Sequence, residues 1–306
     1  MTVITALMLC SCGQESADSK VLSRKEAARI HREDSLALKI AVTPSADILP
    51  LLVAKDRCLY DTTRLDLRLK IYRSISDCDT AFMSGRVEGM CCDIANAEWV
   101  RRRGHDLSYF TLTPLRWHLV ANRKARAKTL RQLSGKMVAM TLHATPDTLT
   151  ARMAHDIPPK STVEGAPGVF AVQIDDVDVR LGMMSHGVMD AAWLAEPYST
   201  AALSQGHNTL YSTPADMPLG AIVLRGGVLD DPRIKAQVAT LTKAYNAACD
   251  SINRYGMDEY RSVLARYCNV TPTSIKRMPK AGYSHVTPPD VKHMDKVKTY
   301  LKNTQF

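Results

Sequence analysis

Four short segments concentrate the side chains that could hold a small polar molecule. Thr43-Pro44-Ser45-Ala46-Asp47 and His143-Ala144-Thr145-Pro146-Asp147 each follow an apolar run and open a helical pattern. Asp93-Ile94-Ala95-Asn96 and the stretch from Trp193 to Tyr198 follow two further apolar runs. Hydroxyls and free backbone N–H groups at helix starts suit a polar or anionic group. Trp193 and Tyr198 add ring faces for stacking. The candidate ligand-binding set is therefore Thr43, Ser45, Asp47, Asp93, Asn96, His143, Thr145, Asp147, Trp193, Glu196 and Tyr198. The same residue types have structural uses. Ser45, Asp47, Thr145 and Asp147 suit helix caps, Trp193 suits a core, and Glu196-Pro197 suits a turn. Clustered carboxylates at Asp47, Asp93, Asp147 and Glu196 incline the set toward an amine or heterocycle, and away from bare sulfonate or nitrate.

Catalysis needs a coherent acid, base or nucleophile set. His143 with Asp147, and the pair Cys91-Cys92, are the available groups, and neither spacing demands chemistry. No catalytic residue, cofactor or metal is expected. His105 and His207 stand at matching positions before a strand and read as structural. The net charge of +9 comes from 40 basic and 31 acidic side chains, dense only at Arg101-Arg102-Arg103 and over 123–131. Without a zinc-finger, helix-turn-helix or ribonucleoprotein pattern, these runs read as solvated surface rather than a nucleic-acid face.

The elements that position the four segments occur twice. Met83-Ser84 and Val87 lead through an apolar strand to Gly104-His105, Leu107 and Tyr109. Met184-Ser185 and Val188 lead through Asp190-Ala191-Ala192-Trp193 to Gly206-His207, Leu210 and Tyr211. Upstream, Ile40–Thr43 runs into Pro44 and Asp47, as Val138–Thr141 runs into Pro146 and Asp147. Two copies are too few for a solenoid, so the reading is α/β: two doubly wound lobes with a ligand cleft between them. Strands are expected at Leu38–Val42, Leu65–Tyr72, Gly89–Ile94, Leu107–Thr111, Trp117–Ala121 and Leu219–Leu224. Helices are expected at Ile48–Asp56, Ser76–Ser84, Ala95–Gly104, Lys124–Leu133, 232–252, 257–267 and 289–302. Strands alternating with helices imply parallel, helix-covered sheets.

The first nine residues, MTVITALML, form a short apolar stretch ending at Cys10-Ser11-Cys12. Leu9-Cys10-Ser11-Cys12 resembles a bacterial lipobox, with Cys12 the residue to be lipidated, although no Lys or Arg precedes the stretch. Residues 1–12 read as a lipoprotein signal peptide and 13–37 as a polar tether. A lipid anchor with a tether attaches an exported body to a membrane while leaving it reach. Export also places the other six cysteines in an oxidising compartment. Cys249 and Cys268 are close enough in sequence to pair, whereas Cys91 and Cys92, adjacent on a strand, face opposite ways as free thiols.

The order of segments resembles the type II solute-binding proteins of ABC importers, in the subgroup handling nitrate, sulfonates, taurine and thiamine-pyrimidine precursors. Ile48 to Tyr60 is similar to that family's P-x-x-x-A-x-x-x-G-x-[FY] helix, with Cys58 at the glycine. Ser84–Glu88 resembles its SG-x-[VL]-[DE] segment, Leu133–Ala139 its L-x-GK-x-[VI]-[AG], and Asp190–Pro197 its DA-x-x-x-x-EP. Thr287 to Lys302 resembles its closing helix, with Tyr300 at the aromatic. The resemblance spans 38–302. It implies a first lobe made of 38–118 and 219–306 and a second of 119–218, with ligand contacts from the four segments above. It further implies a monomeric lipoprotein on the periplasmic face of a bacterial membrane, capturing a small solute and delivering it to an ABC permease. Relatives of the same fold make thiamine-pyrimidine or menaquinone intermediates, which gives an enzyme as the alternative. Transcription regulators use similar lobes for effectors, but no DNA-binding pattern occurs in 13–37.

Overall fold

Leu38-Lys39-Ile40-Ala41-Val42 is apolar at all but one position and forms strand β1, buried along its whole length. That is the pattern of a central strand covered on both faces. The computed structural model describes residues 36–160 and 163–306. The signal peptide, the lipidation candidate Cys12 and nearly all of the tether lie outside the described residues.

From β1 the chain runs through helix α1 (Leu49–Asp56), β2 (Leu67–Ile71), α2 (Ile75–Met83), β3 (Gly89–Asp93), α3 (Ile94–Arg102) and β4 (Leu107–Thr113). It then crosses to β5 (His118–Ala121), β6 (Met137–Met140), α4 (Thr145–Asp156), β7 (Phe170–Gln173), α5 (Val177–His186), β8 (Ala191–Leu194), α6 (Tyr198–Ser204) and β9 (Asn208–Ser212). β10 (Gly220–Arg225) returns, and α7 (Pro232–Tyr255), α8 (Arg261–Cys268), α9 (Pro272–Lys276) and α10 (Val291–Asn303) complete the chain. One sheet has the order β2-β1-β3-β10-β4 and the other β7-β6-β8-β5-β9. The two orders are the same plan, so the internal repeat is a repeat of whole sheets.

The sheets are not all parallel. In each, the strand arriving from the opposite lobe runs antiparallel to both neighbours: β10 against β3 and β4, β5 against β8 and β9. A crossing strand enters its sheet from the cleft end, which reverses its direction. Both crossings also carry a pairing irregularity, skipping Phe110 in β4 and Leu210 in β9. A bulge of this kind bends a strand locally. It also shows that Tyr109 and Tyr211 are not structural counterparts: Tyr109 precedes its bulge and Tyr211 follows.

The expected helix Lys124–Leu133 is two short 3-10 turns, Arg123–Ala125 and Leu130–Leu133, because Arg126 takes a left-handed conformation at φ 53°. The region 257–267 likewise divides into a 3-10 turn and α8. α10, starting at its Asp290 cap, packs against α4 of the second lobe. Its Tyr300 hydroxyl meets that of Tyr211 on β9 at 2.8 Å, and its His293 reaches the Pro218 carbonyl beside the return crossing at 2.9 Å. Cys249 and Cys268 are both buried free thiols, as are Cys91 and Cys92. Among the described residues no helix is long and apolar enough to cross a membrane.

Candidate functional site

The carboxyl ends of β1, β3, β7 and β8 converge, and residues at and beyond them line a partly open chamber of about 60 Å³. Ligands in open α/β sheets bind at such ends. Thr43, Ser45 and Asp47 contribute from behind β1, Asp93 from the end of β3, Asp175 from behind β7, and Ala195 and Tyr198 from behind β8. Ile75, Leu115, Val177 and Trp117 supply apolar wall, and Arg180 of α5 completes it.

The lobes are clasped around this chamber. Asp93 is fully buried, and its Oδ1 accepts from the Ala95 N–H at 2.8 Å in the same lobe. The same oxygen accepts from the Thr145 N–H at 3.2 Å and the Thr145 hydroxyl at 3.0 Å, in the other lobe. Trp117 Nε1 donates to Oδ2 at 2.7 Å. Burial raises the Asp93 pKa, and these four donors offset part of the rise. The Ala46 N–H donates to the Glu196 carbonyl at 2.8 Å, the Tyr198 hydroxyl to the Pro44 carbonyl at 3.3 Å, and Arg73 pairs with Asp178. Trp99 of α3 also stacks on His143, in the loop before α4, with centroids 4.0 Å apart.

Asp47 accepts from the Ser45 and Thr113 hydroxyls, each at 2.5 Å, while burial raises its pKa. The Thr113 contact depends on Gly220: a Cβ there would meet Thr113 Oγ1 at 2.1 Å and Leu115 Cβ at 2.6 Å. Arg180, 2% exposed, donates to the carbonyls of Ile174, Trp193 and Asp175 at 3.0, 2.6 and 3.3 Å. Burial lowers its pKa to about 10, so it stays charged at neutral pH. Behind the wall, Asn96 Nδ2 donates to Asp79 Oδ2 at 2.9 Å. Burial first, and the charge of Asp175 second, push the Asp79 pKa up to about 7 against that hydrogen bond.

Of the sequence-derived set, Thr43, Ser45, Asp47, Asp93 and Tyr198 line the chamber. Thr145 touches it only through Asp93, and Asn96, bonded to Asp79, does not line it. Trp193 does not reach it: the side chain is fully buried and its Nε1 donates to Thr150 Oγ1 at 2.8 Å, a core position. Asp147 accepts from the His143 N–H at 3.0 Å and steadies its own loop, and His143 stacks on Trp99; neither lines the chamber. Glu196 lines a separate chamber of about 90 Å³ on the hinge side, beside Arg116 and His118. Its carboxylate accepts from the Thr200 N–H at 3.2 Å. Sequence reasoning missed Trp117, Asp175 and Arg180. Asp175-Asp176 followed by Arg180 was the available signal, a pair of acids opening a helix one turn before a cation. Among the described residues no group of three His, Cys, Asp or Glu side chains could hold a metal ion.

No protein-family model matches the chain, and comparison with curated proteins finds no match in sequence. Solved structures do match. One is the zinc-bound ligand-binding component of an ABC-type import system from Staphylococcus aureus, at TM-score 0.71 and 15% identity over 87% of this chain and 91% of that one. Another is the alkanesulfonate-binding protein of Xanthomonas axonopodis pv. citri bound to MOPS, at TM-score 0.68 and 15% identity over 87% and 93%. A third is the periplasmic nitrate-binding protein of Synechocystis PCC 6803, at TM-score 0.62 and 13% identity over 82% and 74%. The chain has the two-lobed α/β fold of periplasmic solute-binding proteins.

Proposed function

We propose that this chain is the solute-binding component of an ABC importer, closing its lobes on a small solute and handing it to a membrane permease. The observation that carries this reading is a partly open chamber at the carboxyl ends of strands from both sheets, lined by residues of both lobes. Closure of this kind is a population shift toward the state in which ligand touches both lobes. The likeness to import-system binding components in fold supports the same reading. The wall thiols are not activated: Cys91 and Cys92 line the chamber with pKa values that burial raises well above the ordinary value. That is the opposite of what an activated thiolate needs. Native mass spectrometry of the protein purified from its own cells is expected to reveal a stoichiometric small-molecule adduct lost on partial unfolding. A chain that binds no solute in that measurement and turns one over in solution would instead support the enzyme reading.

The anchoring belongs to the same proposal. With Cys12 lipidated and 13–37 as tether, the body would stay at the periplasmic face of its membrane, within reach of a permease. Radiolabelled palmitate is expected to enter the wild-type chain and to be lost in Cys12→Ala. Equal labelling of the two would remove the anchor from the proposal.

A further inference from the structure

We propose that a groove between α3, α4 and α10 binds a single-chain amphiphile with an anionic head, a fatty carboxylate being the simplest; the inference is independent of the solute-binding reading. The groove measures about 540 Å³, against about 60 Å³ for the interlobe chamber, and shares no lining residue with it. Its size falls within the roughly 300–1,000 Å³ of small-molecule sites. Three observations carry the proposal. The first is an apolar floor. Met294, Val297 and Leu301 follow one another along α10 at steps of three and four residues, which puts them on one stripe of the helix. Ile94 and Ala95, which open α3, extend that floor. From Met294 to Leu301 the stripe runs about 10 Å along the helix axis. That length suits a medium alkyl chain and is short for a partner helix of three or four turns.

The second observation is the sign of the rim. Asp295, Lys298 and Lys302 repeat the steps of the apolar stripe one residue further on, so a charged stripe borders the floor. Arg102 of α3 and Arg152 of α4 bring two more cations. Of the two acids at the groove, Glu98 is taken up by Arg101 at 2.6 Å and by the Tyr109 hydroxyl at 2.9 Å. Four cations thus stand against one uncompensated carboxylate, Asp295. The third observation is availability. Arg102, Lys298 and Lys302 are exposed, and their side-chain nitrogens engage no acceptor among the described residues. Arg152 donates to the Lys302 carbonyl, a neutral partner that leaves its charge uncancelled. The floor supplies the drive, because an alkyl chain laid on it leaves water. Exposed cations are each worth little, but together they select the sign of the head group.

The test is calorimetric titration of the full chain carrying Cys12→Ala, so that no acyl group of its own competes. The probes are decanoate, decyltrimethylammonium and acetate, with both amphiphiles kept below their micelle concentrations. Decanoate is expected to bind, decyltrimethylammonium to bind roughly tenfold more weakly, and acetate to give no heat. Lys298→Glu combined with Lys302→Glu is expected to weaken decanoate roughly tenfold, as reversal of two exposed charges does. Ala95→Trp, which fills the floor, should abolish binding. Thermal melts without ligand verify that each variant is folded, and the two surface reversals keep the test open where the tryptophan is not tolerated. Any solute adduct seen by native mass spectrometry should persist in both variants, because neither alters the interlobe chamber. Decanoate binding that is unchanged by the double reversal lies elsewhere and overturns the inference. Equal binding of the two amphiphiles overturns it as adventitious adsorption to an apolar surface. Silence toward decanoate overturns it as well, and binding to phosphatidylglycerol vesicles in that case would make this face a membrane contact instead.

Discussion

Asp93→Ala is expected to melt roughly 6–12 °C below the wild type, from a loss of about 3 kcal/mol. The carboxylate is buried and fully engaged by Ala95, Trp117 and Thr145. Removing it strands the Trp117 indole N–H and the Thr145 N–H, two buried donors that cost about 1–3 kcal/mol each when unpaired. Relief from burying a charge offsets part of this, because burial raises the Asp93 pKa and so works against the ionised form. Two of the lost bonds also cross the cleft, so the variant should populate a more open state, visible as a larger radius of gyration in X-ray scattering. Asp93→Asn isolates the donor argument. Its carbonyl can stay with Ala95 and Thr145, but its amide then opposes Trp117 Nε1, donor to donor. Trp117→Phe should therefore cost stability alone and little in the Asp93→Asn background, a coupling that a double-mutant cycle reads directly. Additive effects would mean that Asp93 is not the group organising this wall.

Much of the scaffold was legible because its signals are local. β1, covered on both faces, is apolar at all but one position, and Leu38–Val42 coincides with the strand. α7 opens on an Asp231 cap with a proline at its first position. The internal repeat was legible as well, and the identical strand orders give it a physical meaning. What composition could not carry was direction: an apolar strand reads the same whether it runs parallel or enters from the other lobe, so β5 and β10 were misjudged. The site divides on the same line. Thr43, directly after β1, and Asp93, the last residue of β3, line the chamber because strand ends fix them. Trp193 and Glu196, one residue from the end of β8 and two beyond it, point elsewhere, because pleat and turn decide which face a side chain takes. Arg180 was invisible to spacing. Its role depends on the carbonyls of Ile174, Asp175 and Trp193, and backbone acceptors leave no mark in a sequence.

Asp79→Asn is expected to flatten the pH dependence of stability between pH 5 and 8. The Asp79 carboxyl titrates near 7 in the folded chain, against an ordinary value of 3.8. The folded state therefore binds more protons than the unfolded state over that interval. Stability from this group is full below about pH 4 and is lost as pH rises through 7, at up to about 1.4 kcal/mol per pH unit. From pH 5 to 8 the loss comes to about 2–3 kcal/mol. The cause is visible in the packing: one oxygen has Asn96 Nδ2, the other has no donor, and Asp175 adds a like charge. A proton on the bare oxygen cancels the charge that burial penalises. Asparagine cannot ionise, so the variant should equal or nearly equal the wild type at pH 5 and exceed it at pH 8. Other groups contribute to the pH dependence, His118 and His207 among them, both with pKa values lowered chiefly by burial. The difference between variant and wild type across urea denaturation curves removes their common contribution. Parallel stability profiles for the two proteins would show that Asp79 is ionised at no cost, and that its unpaired oxygen is satisfied in solution.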